Sequence, residues 1–165
     1  LILPKIMEKM PDVNFYWVGD GPYRDKILPA LEKFDNFHWL GHLKYPDEVR
    51  KFFSEIDIYA LVSGIDMSPH TLLEAALMKK PIIATDVGGI SESCKDGETC
   101  FLIKKNDSND WINKISTLLN NKPKMKEMGN RGHSYVMENF SWDKIADDFI
   151  GILESKFNLG SDNKN

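Results

Sequence analysis

The chain alternates two hydrophobic periods, and this alternation limits its fold more than any other feature. Short apolar runs occupy residues 13–18, 37–40, 58–62, 81–85 and 100–103. They are rich in β-branched and aromatic residues, such as Val13, Phe15, Tyr16, Trp17 and Val18 in the first. The first four stop at Gly19-Asp20-Gly21-Pro22, at Gly41, at Ser63-Gly64, and at Asp86 with Gly88-Gly89 close behind. Polar and apolar residues mostly do not alternate within them. Strands buried on both faces are therefore expected, as in a parallel sheet.

Segments of helical period lie between and after these runs. Ile2, Ile6 and Met10 predict a helix that ends before Pro11. A second is expected over 23–34, with Pro29 breaking or kinking it. A third starts at Pro46-Asp47-Glu48 and carries Val49, Phe52, Phe53 and Ile56 at i, i+3, i+4 and i+7. The fourth spans 68–79, with Ser68 as cap and Pro69 in the first turn. Trp111, Ile112, Ile115, Leu118 and Leu119 mark a fifth after Ser108, and 125–139 is the sixth. Ser141 caps a seventh that carries Trp142, Ile145, Phe149, Ile152 and Leu153. Trp111 and Trp142 are expected in the core. Strands alternating with helices predict an α/β fold: a Rossmann-like, doubly wound parallel sheet with helices on both faces. The last helices are expected to pack outside the sheet. Residues 1–157 form one domain, and 158–165 form a polar, disordered tail.

Composition excludes several classes. With 42% hydrophobic and 28% charged residues among 165, the chain has enough apolar surface to offset chain entropy. A net charge of -4 gives no basic face for nucleic acid. Cys94 and Cys100 are too few for a disulfide scaffold or a structural zinc site, and two free thiols in a reducing cytoplasm are expected. No apolar run approaches the roughly 20 residues of a membrane span. The N-terminus lacks both Met and the charged-then-apolar order of a signal peptide, as though cut from something longer.

Ligands of an open parallel sheet bind at the carboxyl ends of its strands. That rule places residues 19–22, Gly41, residues 63–69 and residues 86–89 on one rim. Gly19-Asp20-Gly21-Pro22 lacks the third glycine of a dinucleotide loop, so a tight turn and a ligand loop both stay open. A helix beginning after Gly88-Gly89 would expose N–H groups suited to an anion. Residues 63–76 hold a strand end, a loop and a helix start. The amides of His70, Thr71 and Leu72 would point off that helix, where phosphate oxygens are natural partners. Glu74 is placed to reach a sugar hydroxyl of such a ligand, or simply to favour the helix dipole.

Five pieces in order carry a family resemblance: Gly19-Asp20-Gly21-Pro22 after a strand; Phe37-His38-Trp39-Leu40-Gly41; Asp66 ahead of Leu73-Glu74-Ala75-Ala76-Leu77 and Pro81-Ile82-Ile83-Ala84-Thr85; Gly88-Gly89-Ile90-Ser91-Glu92; and Phe140-Ser141-Trp142-Asp143-Lys144. Over residues 11–154 the chain resembles the C-terminal, donor-binding half of a family 4 (group 1) glycosyltransferase with the two-domain GT-B fold.

The resemblance implies transfer of a sugar from a nucleotide-diphosphate sugar to a hydroxyl acceptor, with retention. No cofactor and no metal are implied, and the sequence holds no Asp-x-Asp pair. Carried over residue by residue, Glu74 binds ribose and Asp66, the catalytic residue, addresses the transferred sugar. Amides near Pro69, His70, Thr71 and Leu72 bind diphosphate. Gly19 and Gly21 let backbone approach the donor, and Gly41 and His42 lie near the base. The chain departs from the family at Asp66, where Glu is usual, and at Met67, where Gly is usual. The family's opening strand, its glycine-rich turn with an Arg and a Lys, and its N-terminal acceptor domain are expected upstream. The fragment alone is then inactive. The implied setting is cytoplasmic, with no nucleic acid and with peripheral membrane contact only through the absent domain. Two rivals are a nucleotide-sugar epimerase of the same fold and a non-catalytic nucleotide-sugar-binding or interaction domain.

Overall fold

The computed structural model describes residues 2–157. The elements run α1 (Leu3–Lys9), β1 (Phe15–Val18), α2 (Arg24–Leu31), β2 (Phe37–Gly41), α3 (Asp47–Glu55), β3 (Tyr59–Leu61) and α4 (His70–Leu77). Then follow β4 (Ile82–Thr85), a 3-10 turn (Ile90–Glu92), β5 (Phe101–Ile103), α5 (Ser108–Leu119), α6 (Lys122–Asn139) and α7 (Trp142–Phe157). The chain is a mixed α/β protein, and every strand pair is parallel. The expected tail at 158–165 lies outside the described residues.

The strands form two sheets, ordered β1-β2 and β3-β4-β5. Phe15 pairs with Phe37, and Ile83 lies between Ala60 and Phe101. Alternation along β4 divides the core. Ile82 and Ala84 point into one apolar cluster with Phe53, Leu72, Ala75, Ala76 and Val136. Ile83 points into the other with Ile6, Phe101, Ile103, Trp111, Ile115 and Leu118. Helices α3 and α4 therefore cover one face, and α1 and α5 the other. Each fully buried Leu or Ile contributes roughly 1.5–3 kcal/mol.

Several expectations change. Burial on both faces holds for β4, whereas β1, β2 and β3 are partly exposed. Each of these three pairs with a neighbouring strand along one edge only. Pro29 does not break α2, because it sits near the C-terminus and the helix ends two residues later. Asn121 starts α6 three residues early by accepting the Lys124 N–H. Trp111 is buried, but Trp142 is 86% exposed, on a helix with no buried residue. Cys94 and Cys100 are not free thiols but a disulfide. The turn between them, closed by Gly97 N–H to the Cys100 carbonyl and Thr99 N–H to the Lys95 carbonyl, brings their Cα atoms to 6.1 Å.

Candidate functional site

The carboxyl ends of β3 and β4 carry the acid loop. Asp66 lies between β3 and α4, and its Oδ1 accepts the Ser68 N–H at 3.3 Å. Pro69, not Ser68, precedes the first helical residue, and no side chain caps the helix. Pro69 is extended beyond the helical region (ψ 88°), which moves the start to His70. The Pro69 carbonyl accepts the Leu72 N–H at 3.0 Å. Leu72 thus has no free amide, and its side chain is fully buried. Pro69 has none by nature. Among the described residues, the N–H groups of His70 and Thr71 have no backbone acceptor, so two amides remain of the set expected at this helix end. Both residues are exposed.

Tyr59 joins the strand to the helix. Its hydroxyl donates to Thr71 Oγ1 at 2.6 Å, and its ring packs edge-on against Phe53. Burial pushes the phenol pKa up. The Thr71 hydrogen bond opposes this, and the charges of Asp66 and Glu74 add to the rise. Both carboxylates are close enough for their charge to act on this phenol. No sequence signal distinguishes Tyr59 from any other strand aromatic.

A second group forms on β1 and β2. Gly19 N–H donates to the Gly41 carbonyl at 2.7 Å, and Trp39 Nε1 donates to the Gly19 carbonyl at 3.0 Å. Gly19 and Gly41 both have positive φ, at 107° and 65°. Gly21 N–H is held by Asp20 Oδ1 at 2.7 Å. These glycines are locked against each other and their neighbours. Gly19 and Gly21 border a small cleft of about 180 Å³, with Trp17, Tyr23, Arg24 and Trp39 in its wall. Arg24 lies over the Trp39 ring and pairs with Asp20 at 3.0 Å. It is a cation at the rim that the sequence motifs did not single out. Lys105 is another, and its Nζ donates to the Gly64 carbonyl at 3.2 Å. Among the described residues, no hydrogen bond or ion pair joins the glycine group to the acid group. His42 and His70 are exposed, and His38 Nε2 lies 3.1 Å from Asn14 Oδ1.

The 88–89 segment does not start an anion-binding helix. A three-residue 3-10 turn follows it, and the Gly89 N–H is spent on the Asp66 carbonyl at 2.9 Å.

A parallel α/β scaffold with loops at its strand ends is shared by proteins of many functions, and comparison with known proteins narrows the class. The family model described as "Glycosyl transferases group 1" matches residues 2–121. The chain belongs to the group 1 glycosyltransferases. It is 33% identical over 136 residues to an uncharacterized glycosyltransferase of Methanocaldococcus jannaschii, covering 82% of this chain and 38% of that protein. It is 32% identical over 161 residues to the trehalose synthase of Thermococcus litoralis, covering 92% of this chain and 39% of that protein. The chain thus spans well under half the length of these relatives. Sucrose-phosphate synthase from Thermosynechococcus elongatus shares the fold, with a TM-score of 0.82 at 22% identity, over 95% of this chain and 42% of that one. Anabaena HepE in complex with UDP-glucose superposes with a TM-score of 0.81 at 21% identity, over 93% of this chain and 44% of that one. The fold is that of the GT-B glycosyltransferases. No helix among the described residues is long and apolar enough to cross a membrane.

Proposed function

We propose that this chain is the donor-binding half of a retaining glycosyltransferase and takes a nucleotide-diphosphate sugar. The observation that carries this reading is the placement of Asp66 in the loop after β3 and of Glu74 on α4, the helix that follows that loop, in a chain of this family. Glu74 takes the ribose hydroxyls, and Asp66 addresses the transferred sugar. The His70 and Thr71 amides meet the diphosphate, where the helix dipole adds roughly 0.3–1 kcal/mol. Pro69 and Leu72 shape that turn and do not donate to it. Gly19, Gly21 and Gly41 keep the opposite wall low on the base side. Anabaena HepE binds UDP and UDP-glucose, which supports a nucleotide-sugar donor here. Asp66 is one methylene shorter than the family's usual Glu, and that difference bears on which sugar is accepted.

In the longer protein, an acceptor domain supplies the hydroxyl nucleophile, and the site needs no metal or cofactor. A further strand ahead of α1 belongs to the same proposal. The split into β2-β1 and β3-β4-β5 supports it, because one parallel strand between the open edges of β1 and β3 makes a single doubly wound sheet. This chain alone, without the acceptor domain, is expected to bind donor but not to transfer sugar.

Titration calorimetry of the chain against UDP, GDP, ADP and their glucose conjugates tests the donor reading. Preference for one base supports it. Equal absence of heat from every nucleotide, for the chain and for a form extended through the next upstream strand, contradicts it.

A further inference from the structure

We propose that Gly88 and Gly89 are positioning residues for Asp66: the β4 loop is a side-chain-free cradle that fixes the backbone of the acid loop. The inference rests on the reading of Asp66 as the sugar contact.

The acid loop has few anchors of its own. Ile65 and Met67, on either side of Asp66, are 76% and 71% exposed, so no apolar contact seats them. The loop is instead held through its backbone. The Gly89 N–H donates to the Asp66 carbonyl at 2.9 Å. Lys105 Nζ donates to the Gly64 carbonyl at 3.2 Å. Asp66 Oδ1 takes the Ser68 N–H, which turns the carboxylate back along its own loop.

The approach of the two loops leaves no room for a side chain. A Cβ on Gly88 would overlap the Asp66 carbonyl, and one on Gly89 would overlap the Met67 carbonyl. Gly88 also has φ +57°, a left-handed conformation. These obstacles are backbone atoms, so no rotamer change relieves them. A side chain at either position must push the Asp66-Met67 segment away from β4. Glu74 would stay, because it sits on α4, whose Leu72, Ala75 and Ala76 are buried in the core. The two acids are thus positioned by different devices, Glu74 by helix packing and Asp66 by contact with two glycines. The consequence is selective: disturbing the cradle alters what Asp66 does and spares what Glu74 does.

The test compares affinity for UDP-glucose with affinity for UDP, the increment being the sugar's share. In the unaltered chain the sugar is expected to add about tenfold, the scale of one hydrogen bond to a charged group. Gly89→Ala and Gly88→Asn should erase most of that factor while UDP affinity holds. Asn tolerates the left-handed conformation, so its loss isolates overlap from strain. Gly97→Ala is the control. Gly97 has φ +77° with nothing within 4 Å of its Cβ position, and it should keep the full factor.

Amide chemical shifts give a reading free of ligand. Shifts of Asp66, Met67 and Ser68 should move in Gly89→Ala, and those of Leu72 to Glu74 should not. If the glycine variants do not fold, Lys105→Met removes one tether from an exposed site, and the increment should fall by about threefold. An increment lost in Asp66→Ala but kept in Gly89→Ala and Lys105→Met overturns the cradle alone. An increment kept in Asp66→Ala overturns the reading of Asp66, and the cradle's role with it.

Discussion

Tyr59 and Thr71 are joined by a hydrogen bond of 2.6 Å that spans the acid loop, from the strand before it to the helix after it. The bond fixes the first turn of α4 against β3, and with it the place where the His70 and Thr71 amides emerge. Tyr59→Phe keeps the ring that packs on Phe53 and removes only the hydroxyl. A loss of about 0.5–1.5 kcal/mol is expected in urea denaturation. Thr71→Val should cost a similar amount. The double variant should cost less than the sum, because one bond is lost in all three. Additive losses would mean that the bond does not form.

The same phenol predicts a pH dependence. The folded chain keeps Tyr59 protonated to higher pH than the unfolded chain does. The unfolded state therefore releases its proton first, and stability falls as pH rises past the ordinary phenol value of about 10. The contribution is complete below that value. Denaturation midpoints measured from pH 8 to 11 should decline less steeply in Tyr59→Phe than in the unaltered chain.

The two tryptophans separate core from surface. Trp111 is 1% exposed, and its loss to Ala should cost about 3–5 kcal/mol. Trp142→Ala, at an exposed site, should change stability by less than about 0.5 kcal/mol. Thermal melts of the two variants check both.

Asp66→Glu restores the acid usual in the family. Nucleotide affinity should not change, because the ribose contact belongs to Glu74. Donor-sugar preference in the full-length enzyme should shift, as measured by competition between two sugars on one nucleotide. Identical selectivity would remove Asp66 from the sugar contact.

Much of the fold was legible in the sequence where local chemistry carries the signal. Four strands fall inside the apolar runs, and β2 passes the end of its run by one residue to Gly41; α7 begins at the expected residue, and α5 begins at Ser108, one residue early. There the apolar period and a capping side chain, Asp107 or Ser141, agree. The start of α6 was not legible, because residues 122–124 are polar or proline and only the Asn121 cap shows it. Strand pairing is non-local, so the division into two sheets left no trace in the pattern. Periodicity placed Trp142 on an apolar helix face but said nothing of what lies against it.

The candidate site divides in the same way. The sequence puts Asp66 just past a strand end and Glu74 in the helix that follows, and the structure has Asp66 between β3 and α4 and Glu74 on α4. The spent amide of Leu72, the Tyr59 hydroxyl and the Lys105 tether depend on how loops fold back over the sheet. Side-chain type at one position does not encode that. Gly88-Gly89 was visible as a glycine pair, but its contact with the acid loop needed the structure.

The most direct test of the account is titration of the unaltered chain and Glu74→Ala with the preferred nucleotide diphosphate. The account predicts at least a tenfold loss of affinity, on the order of one charged hydrogen bond, with an unchanged melting profile. Equal affinity in the two proteins would contradict it.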